Sequence, residues 1–211
     1  LFDYLVLACG AQHSYFGHDE WEEFAPGLKT LEQATEIRRR ILLAFEEAEN
    51  ELDSSKQRSL LTFVVVGGGP TGVELAGAIS DIARTVLVKD FKRINAASAQ
   101  VILIEAGPKI LSSFENSLAQ KARHDLQRMG VEVLTDTRVE NINGQGVSAG
   151  ARKIASKNVF WAAGVQANRL SITPELETDR AGRIKVGRSL SPPNHPEVFV
   201  IGDMALCEIA Q

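Results

Sequence analysis

The sequence predicts an α/β fold on a parallel sheet, and three observations carry that prediction. Leu61-Thr62-Phe63-Val64-Val65-Val66 and Val101-Ile102-Leu103-Ile104 are short apolar runs rich in β-branched residues, as strands buried on both faces require. Gly67-Gly68-Gly69-Pro70-Thr71-Gly72 joins the first run directly to a helical pattern, with Gly72, Ala76, Ile79, Ala83 and Val86 on one side. Residues 138–156 alternate around Asn143-Gly144, a hairpin turn signal, and predict a small antiparallel meander.

Taken in order, residues 3–11 read as a strand running into Cys9-Gly10-Ala11, and Gln12-His13 opens a loop that continues through Pro26-Gly27. Thr30 caps a long helix with Leu31, Ala34, Ile37, Ile41, Leu42, Phe45 and Ala48 on its stripe. Residues 50–59 are polar and read as a linker before the strand at Leu61. Residues 89–98 lengthen the connection to the second strand, which ends in Glu105. A loop over 106–114 leads to a helix over 116–129, with Leu118, Ala122 and Leu126 stacked and Gly130 as its stop. Val131-Glu132-Val133-Leu134 is the third strand. After the meander, Asn158-Val159-Phe160-Trp161 returns as a strand ending in Ala162-Ala163-Gly164. Asp179-Arg180-Ala181-Gly182 is a turn between short strands, and Pro192-Pro193 marks a loop. Val198-Phe199-Val200-Ile201 is a last buried strand before Gly202-Asp203.

The glycine run carries chemistry because of its setting. Spaced G-x-G-x-x-G between strand and helix, it is a dinucleotide-binding fingerprint. Gly67 permits the tight turn, Gly69 lets backbone approach a pyrophosphate, and Gly72 lets helix and strand pack closely. Gly68, Pro70 and Thr71 complete the loop, and the helix N-terminus offers N–H groups and a positive dipole end to phosphates. Glu105 is placed to accept hydrogen bonds from the adenosine ribose and to repel a 2′-phosphate, which favours NADH over NADPH. It lies 33 positions after Gly72, against a usual figure of about 20. Ala163 and Gly164, lacking bulk at the expected crevice of the sheet, admit a nicotinamide.

Composition narrows the rest. The 211 residues are 44% hydrophobic and 24% charged, with a net charge of −4, so strong attraction to nucleic acid or anionic membrane is not implied. Arg38-Arg39-Arg40 falls in a Glu-rich helical pattern and reads as a solvated face. No apolar run approaches the ~20 residues of a membrane span, and neither a signal nor a transit peptide is visible. Cys9 and Cys207 sit in no C-x-x-C or metal-type spacing and read as buried small residues in a reducing, cytoplasmic compartment. His13 and His18 share a loop without the companions of a metal site, and a structural role fits them better. The chain opens on Leu1 inside an apparent strand, with no Met, and reads as a piece of a longer protein.

Leu7-Ala8-Cys9-Gly10-Ala11 resembles the A-T-G-A segment of two-dinucleotide flavoproteins, and Val200-Ile201-Gly202-Asp203 resembles their G-D motif. Together with Gln12-His13-Ser14-Tyr15-Phe16-Gly17-His18-Asp19-Glu20-Trp21, the glycine run and Trp161-Ala162-Ala163-Gly164-Val165, the whole chain resembles type II NADH dehydrogenase, the single-subunit NADH:quinone oxidoreductase, within the FAD-dependent pyridine nucleotide-disulfide oxidoreductase superfamily. The resemblance implies a Rossmann-like, three-layer FAD/NAD(P)-binding fold with parallel sheet and β-meander, flanked by partial flavin-domain segments. Its parts are a flavin-domain segment with connecting helix over 1–57, an NADH-binding domain over 58–167 and a return segment over 168–211. It implies hydride transfer from NADH to FAD and electron transfer onward to quinone, in a full-length protein peripheral to the cytoplasmic side of a membrane through a missing C-terminal segment. Homodimerisation is a further expectation, and the fragment alone is expected to be soluble, inactive and without FAD. Cys9, Gly10, Gly202 and Asp203 then fall at the flavin, although Cys9 stands where Thr is usual. Glu74 is either a catalytic-site acid near nicotinamide and flavin or an acid complementing the helix dipole. Two other readings stand: a flavoprotein reductase with a ferredoxin, sulfide or disulfide acceptor, and a non-catalytic NADH-binding module.

Overall fold

The computed structural model describes residues 2–168, 170 and 175–207. In chain order its elements are β1 (Leu5–Leu7), β2 (Ala11–His13), α1 (Leu31–Asn50), α2 (Ser54–Leu60), β3 (Thr62–Val66), α3 (Pro70–Asp81), β4 (Gln100–Ile104), α4 (Asn116–Arg128), β5 (Val131–Leu134), β6 (Val139–Asn143), β7 (Gly146–Ala149), β8 (Arg152–Ala155), β9 (Asn158–Trp161), β10 (Val165–Ala167), β11 (Ile184–Val186), β12 (Val198–Val200) and β13 (Ala205–Cys207). They form two compact units, Tyr15–Ala163 on the one hand and Leu1–Ser14 with Gly164–Gln211 on the other.

In Tyr15–Ala163 the strands order β5-β4-β3-β9, all parallel. Alternate residues face opposite sides, as the strand period demands. Phe63, Val65, Val101, Leu103, Val133 and Phe160 share a core with Ile37, Ile41 and Phe45 of α1, Leu75, Ala76 and Ile79 of α3, and Leu126 of α4. Val64, Val66, Ile102, Ile104, Val159 and Trp161 share the other with Ile142, Val147 and Ile154 of the meander β6–β8 and with Tyr15, Trp21 and Ala25. The layers are therefore helices, sheet and meander, and burial of both sheet faces accounts for the unbroken apolar runs. Helix α1, inside the expected segment 1–57, packs in this unit.

Local chemistry sets the helix ends. Thr30 and Gln33 form a capping box, with Gln33 N–H donating to Thr30 Oγ1 at 3.3 Å and Thr30 N–H to Gln33 Oε1 at 3.2 Å. The inner face of α1 is Ile37, Ile41, Ala44, Phe45 and Ala48. Leu31 and Leu42, expected on that stripe, are 78% and 38% exposed, because Leu31 opens the first turn and Leu42 lies about 100° round from Ile41. The expected linker contains α2, whose cap is Asp53 Oδ1 accepting from the N–H of Ser55 and Lys56. Helix α3 runs on into a π-helical turn, Ile82–Val86. The extra residue per turn rotates the register and leaves Val86, expected inside, exposed. In α4 the buried residues are Ala119 and Leu126, with Ala122 partly buried, while Leu118 faces solvent.

The second unit has shorter strands. β1 pairs in parallel with β12, β11 in parallel with β13, and β10 antiparallel with β2. Its core is Leu7, Ile184, Val186, Val198, Val200 and Met204. The strand expected over 3–11 ends at Leu7, and Ala11–His13, expected to run into a loop, forms β2 against β10. Among the described residues no helix is long and apolar enough to cross a membrane.

Candidate nucleotide-binding site

Numbered in sequence order, the strands of the parallel sheet run 3-2-1-4 across it, so the connections change direction between β3 and β9. A crevice for ligands opens at such a switch point, beyond the carboxyl ends of the strands. The backbone there is continuous with the sheet: Gly67 N–H donates to Ile104 O at 2.7 Å and Ala162 N–H to Val66 O at 2.7 Å. Gly67 has φ +113°, and a Cβ on it would stand 2.6 Å from the Ala162 and Ala163 backbone. A Cβ on Gly72 would lie 1.8 Å from Gly67 O, so close helix–strand approach excludes any side chain. Gly69 differs: nothing lies within 4 Å of where its Cβ would be. It is the N-cap of α3, followed by Pro70 at the helix start. Thr71 is exposed and Gly72 buried in the first turn, whose N–H groups lack intrahelical acceptors.

Glu105 reaches this loop from β4. Its Oε2 accepts the Gly68 N–H at 2.6 Å and its Oε1 the Gly107 N–H at 2.7 Å. Gly68 O accepts the Leu111 N–H at 2.7 Å, so both polar groups of the Gly68 backbone are held. The long interval from Gly72 is taken up by the π-helical turn and by residues 87–98, where Glu49 accepts the N–H groups of Lys92, Arg93 and Ile94. Lys109 is engaged elsewhere, its Nζ donating to Phe114 O at 2.9 Å and Asn116 Oδ1 at 2.8 Å. Glu74 is exposed at the fifth position of α3, past the first turn to which helix-dipole stabilisation is confined.

Ala162 borders Gly67 more closely than the sequence reading anticipates; its Cβ would be 3.3 Å from one on Gly72. Ala163 closes this unit and Gly164, at φ +82°, begins the other. Under β9 lies an aromatic cluster. The Tyr15 and Trp161 rings stack at 5.0 Å, Trp21 lies 5.8 Å from Trp161, and His18 stacks on Trp21 at 4.2 Å. Tyr15 OH donates to Ala25 O at 2.9 Å, and burial pushes its pKa up to about 12, with Glu22 and Asp19 adding to the shift. Tyr15, His18 and Trp21 thus brace the sheet. No group of His, Cys, Asp and Glu among the described residues could hold a metal ion.

In the other unit the adjacent parallel strands β1 and β12 lead into Gly10 and Gly202, with Ile201 N–H donating to Leu7 O at 3.0 Å. Cys9 N–H contacts Met204 Sδ at 3.1 Å, Cys9 O accepts from Asn168 Nδ2 at 2.6 Å, and Asp203 is exposed. Open space lies where a Cβ on Gly10 or Gly202 would stand, as a ligand approaching the backbone requires. Cys9 and Cys207 are exposed and half-buried rather than buried: Cys9 lies in the link between β1 and β2, and Cys207 at the end of the three-residue strand β13.

The pyridine nucleotide-disulphide oxidoreductase family model matches residues 1–211. Among curated relatives, the type II NADH:quinone oxidoreductase Ndh of Mycobacterium tuberculosis is 44% identical over 98% of this chain and 47% of its own length. NdhA of the same organism is 43% identical over 96% of this chain and 45% of its own length. The chain thus spans about half the length of the curated relatives it matches. The solved structure of NDH2 from Plasmodium falciparum in complex with NADH superposes with TM-score 0.87 at 22% identity, over 98% of this chain and 44% of that one, and supports the fold. By the match along its full length and the fold shared with that structure, this chain belongs to the pyridine nucleotide-disulphide oxidoreductase family.

Proposed function

We propose that this chain is the NADH-binding portion of a type II NADH:quinone oxidoreductase. The observation that carries the reading is the switch-point crevice, where Gly67–Gly69, Glu105 and Ala162 converge from three strands. The open side of Gly69 and the first turn of α3 receive the pyrophosphate. Glu105, already fixed by two N–H groups, keeps lone pairs for the ribose hydroxyls. Ala163 and Gly164 leave room for the nicotinamide, and Glu74 orients its carboxamide. Cys9, Gly10, Gly202 and Asp203 are the flavin contacts, and the open backbone at Gly10 and Gly202 fits them. An FAD held there would supply the two-electron redox chemistry that links NADH to a quinone. The boundaries 1–57, 58–167 and 168–211, a peripheral contact with the cytoplasmic face of a membrane, and a homodimer belong to the same proposal. Ferredoxin reductases share the fold, with a TM-score of 0.72 for one from Rhodopseudomonas palustris at 21% identity, but the relatives at 43–44% identity favour quinone.

The chain, titrated calorimetrically, is expected to bind NADH and to reduce no quinone. Absence of NADH binding would overturn the site. A yellow protein with stoichiometric FAD that turns over quinone would overturn the assignment as a portion.

A further inference from the structure

We propose that Asp136 is a second carboxylate set against a 2′-phosphate, so that Asp136 and Glu105 together impose the choice of NADH over NADPH. The inference rests on the NADH reading above and adds a specificity residue that no fingerprint spacing indicates.

The segment after β5 is laddered to the segment after β4. Glu105 N–H donates to Leu134 O at 2.8 Å, Thr137 N–H to Glu105 O at 3.0 Å, and Asp136 N–H to Gly107 O at 2.9 Å. Gly107 N–H in turn donates to the Glu105 carboxylate at 2.7 Å. Two backbones bonded in this way lie about 4.8 Å apart, so the Asp136 backbone lies beside Gly107 and next to Glu105, the residue read as the ribose ligand. Its φ is +51°, a left-handed conformation that side chains seldom adopt and that Asp and Asn adopt more readily than most. Thr137 Oγ1 braces the turn by donating to Thr135 O at 2.9 Å.

Charge makes the position consequential. Asp136 is exposed, and among the described residues its carboxylate has no hydrogen bond or ion pair. Glu132, on the same strand segment, is by contrast paired with Arg152 at 2.5 Å. Lys109 is engaged away from this position, its Nζ donating to Phe114 O and Asn116 Oδ1. A site for NADP commonly supplies an Arg there; this one presents two carboxylates and turns its lysine aside. Across roughly 8 Å of largely aqueous surroundings, an unpaired carboxylate disfavours a 2′-phosphate by about threefold.

The test compares the wild-type chain with Asp136→Asn, Glu105→Gln and the double variant, by calorimetric titration. The probes are NADH and NADPH, and their adenosine halves ADP and 2′,5′-ADP. Asn accepts the left-handed conformation, so the fold is retained. Asp136→Asn is expected to narrow the preference for ADP over 2′,5′-ADP, and for NADH over NADPH, about threefold at low ionic strength. The gain should shrink toward nothing near 1 M salt, where the screening length is about 3 Å. In the double variant the two effects should add. If wild type binds NADH and Asp136→Asn leaves both ratios unmoved, or moves them equally at high salt, the role of Asp136 is overturned and the site stands. If wild type binds none of the four probes, the NADH reading itself falls and this inference with it.

Discussion

The two units of this chain bury their strands very differently. In Tyr15–Ala163 the sheet is covered on both faces, and Phe45, Phe63, Val64, Val65, Leu103 and Phe160 are 0% exposed. In the other unit the strands are three residues long and paired two by two, and Phe2, Tyr4, Val6 and Val165 are 54–73% exposed. The first unit draws all its strands from one contiguous stretch, so each finds a partner and each face a cover. The second is assembled from two stretches far apart in sequence, and it leaves apolar faces open. What a segment buries is decided by which partners its own sequence supplies.

The sharpest way to break that comparison is to put the same methyl group into each unit. Gly72→Ala would drive a Cβ to 1.8 Å from Gly67 O, in backbone that the sheet cannot yield. We expect a loss of about 4 kcal/mol or more, a magnitude that marks severe overpacking. Gly10→Ala meets open space and carries only the strain of its φ of +69°, about 1 kcal/mol. Denaturant unfolding of both variants is the measurement; equal losses would show that the two units are packed alike. Next in size, Gly69→Val should keep the fold, since nothing lies within 4 Å of that Cβ. It should weaken NADH at least ~100-fold, or about 2.7 kcal/mol, in a calorimetric titration. Unchanged affinity would place the phosphates elsewhere.

The smallest effect sharpens the account of the covered face. The Tyr15 pKa stands at about 12, above the ordinary value of 10.0, because burial disfavours the phenolate. A raised pKa means that this group's contribution is intact below pH 10 and is lost as pH rises toward 12. We expect roughly 1–2 kcal/mol to disappear across that window, after allowance for solvent screening. Tyr15→Phe should remove that part of the alkaline dependence while costing about 1 kcal/mol at neutral pH through the lost bond to Ala25 O. Identical pH profiles for the two proteins would show that the phenol is not buried as described.

Much of the fold was legible because its signals are local. The run Leu61–Val66, the glycines after it and the cap at Thr30 each state their structure within a few residues. Strand β2 was not legible, because Ala11–His13 is too short to show a period and its partner Val165–Ala167 lies at the far end of the inserted unit. Helix α2 was hidden by its polar composition, with Asp53 as the one readable cue. In α4 the expected Ala122 and Leu126 lie against the core, but Ala119 takes the place expected for Leu118, because Leu118 outweighs Ala119 in hydrophobicity while packing favours the smaller side chain. In the proposed site, spacing and strand ends pointed to Gly67, Gly69, Gly72 and Glu105, and the structure gathers Gly67, Gly72 and Glu105 around one loop. The hold of Leu111 on Gly68, the approach of Ala162 to Gly67 and the place of Asp136 depend on tertiary neighbours and leave no mark in the sequence.

The pairing of β2 with β10 has an architectural consequence. Val165 is in register with His13, and Ser14 N–H donates to Gly164 O at 3.3 Å, so the chain departs into Tyr15–Ala163 and comes back at neighbouring rungs of one ladder. A module whose two ends meet can be lifted out, exchanged or re-opened at another loop, because joining its ends closes only a short gap. The unit of Leu1–Ser14 and Gly164–Gln211, for its part, needs no more than a tight turn to carry β2 into β10. That geometry makes Tyr15–Ala163 a cassette, suited to transplantation and to circular permutation.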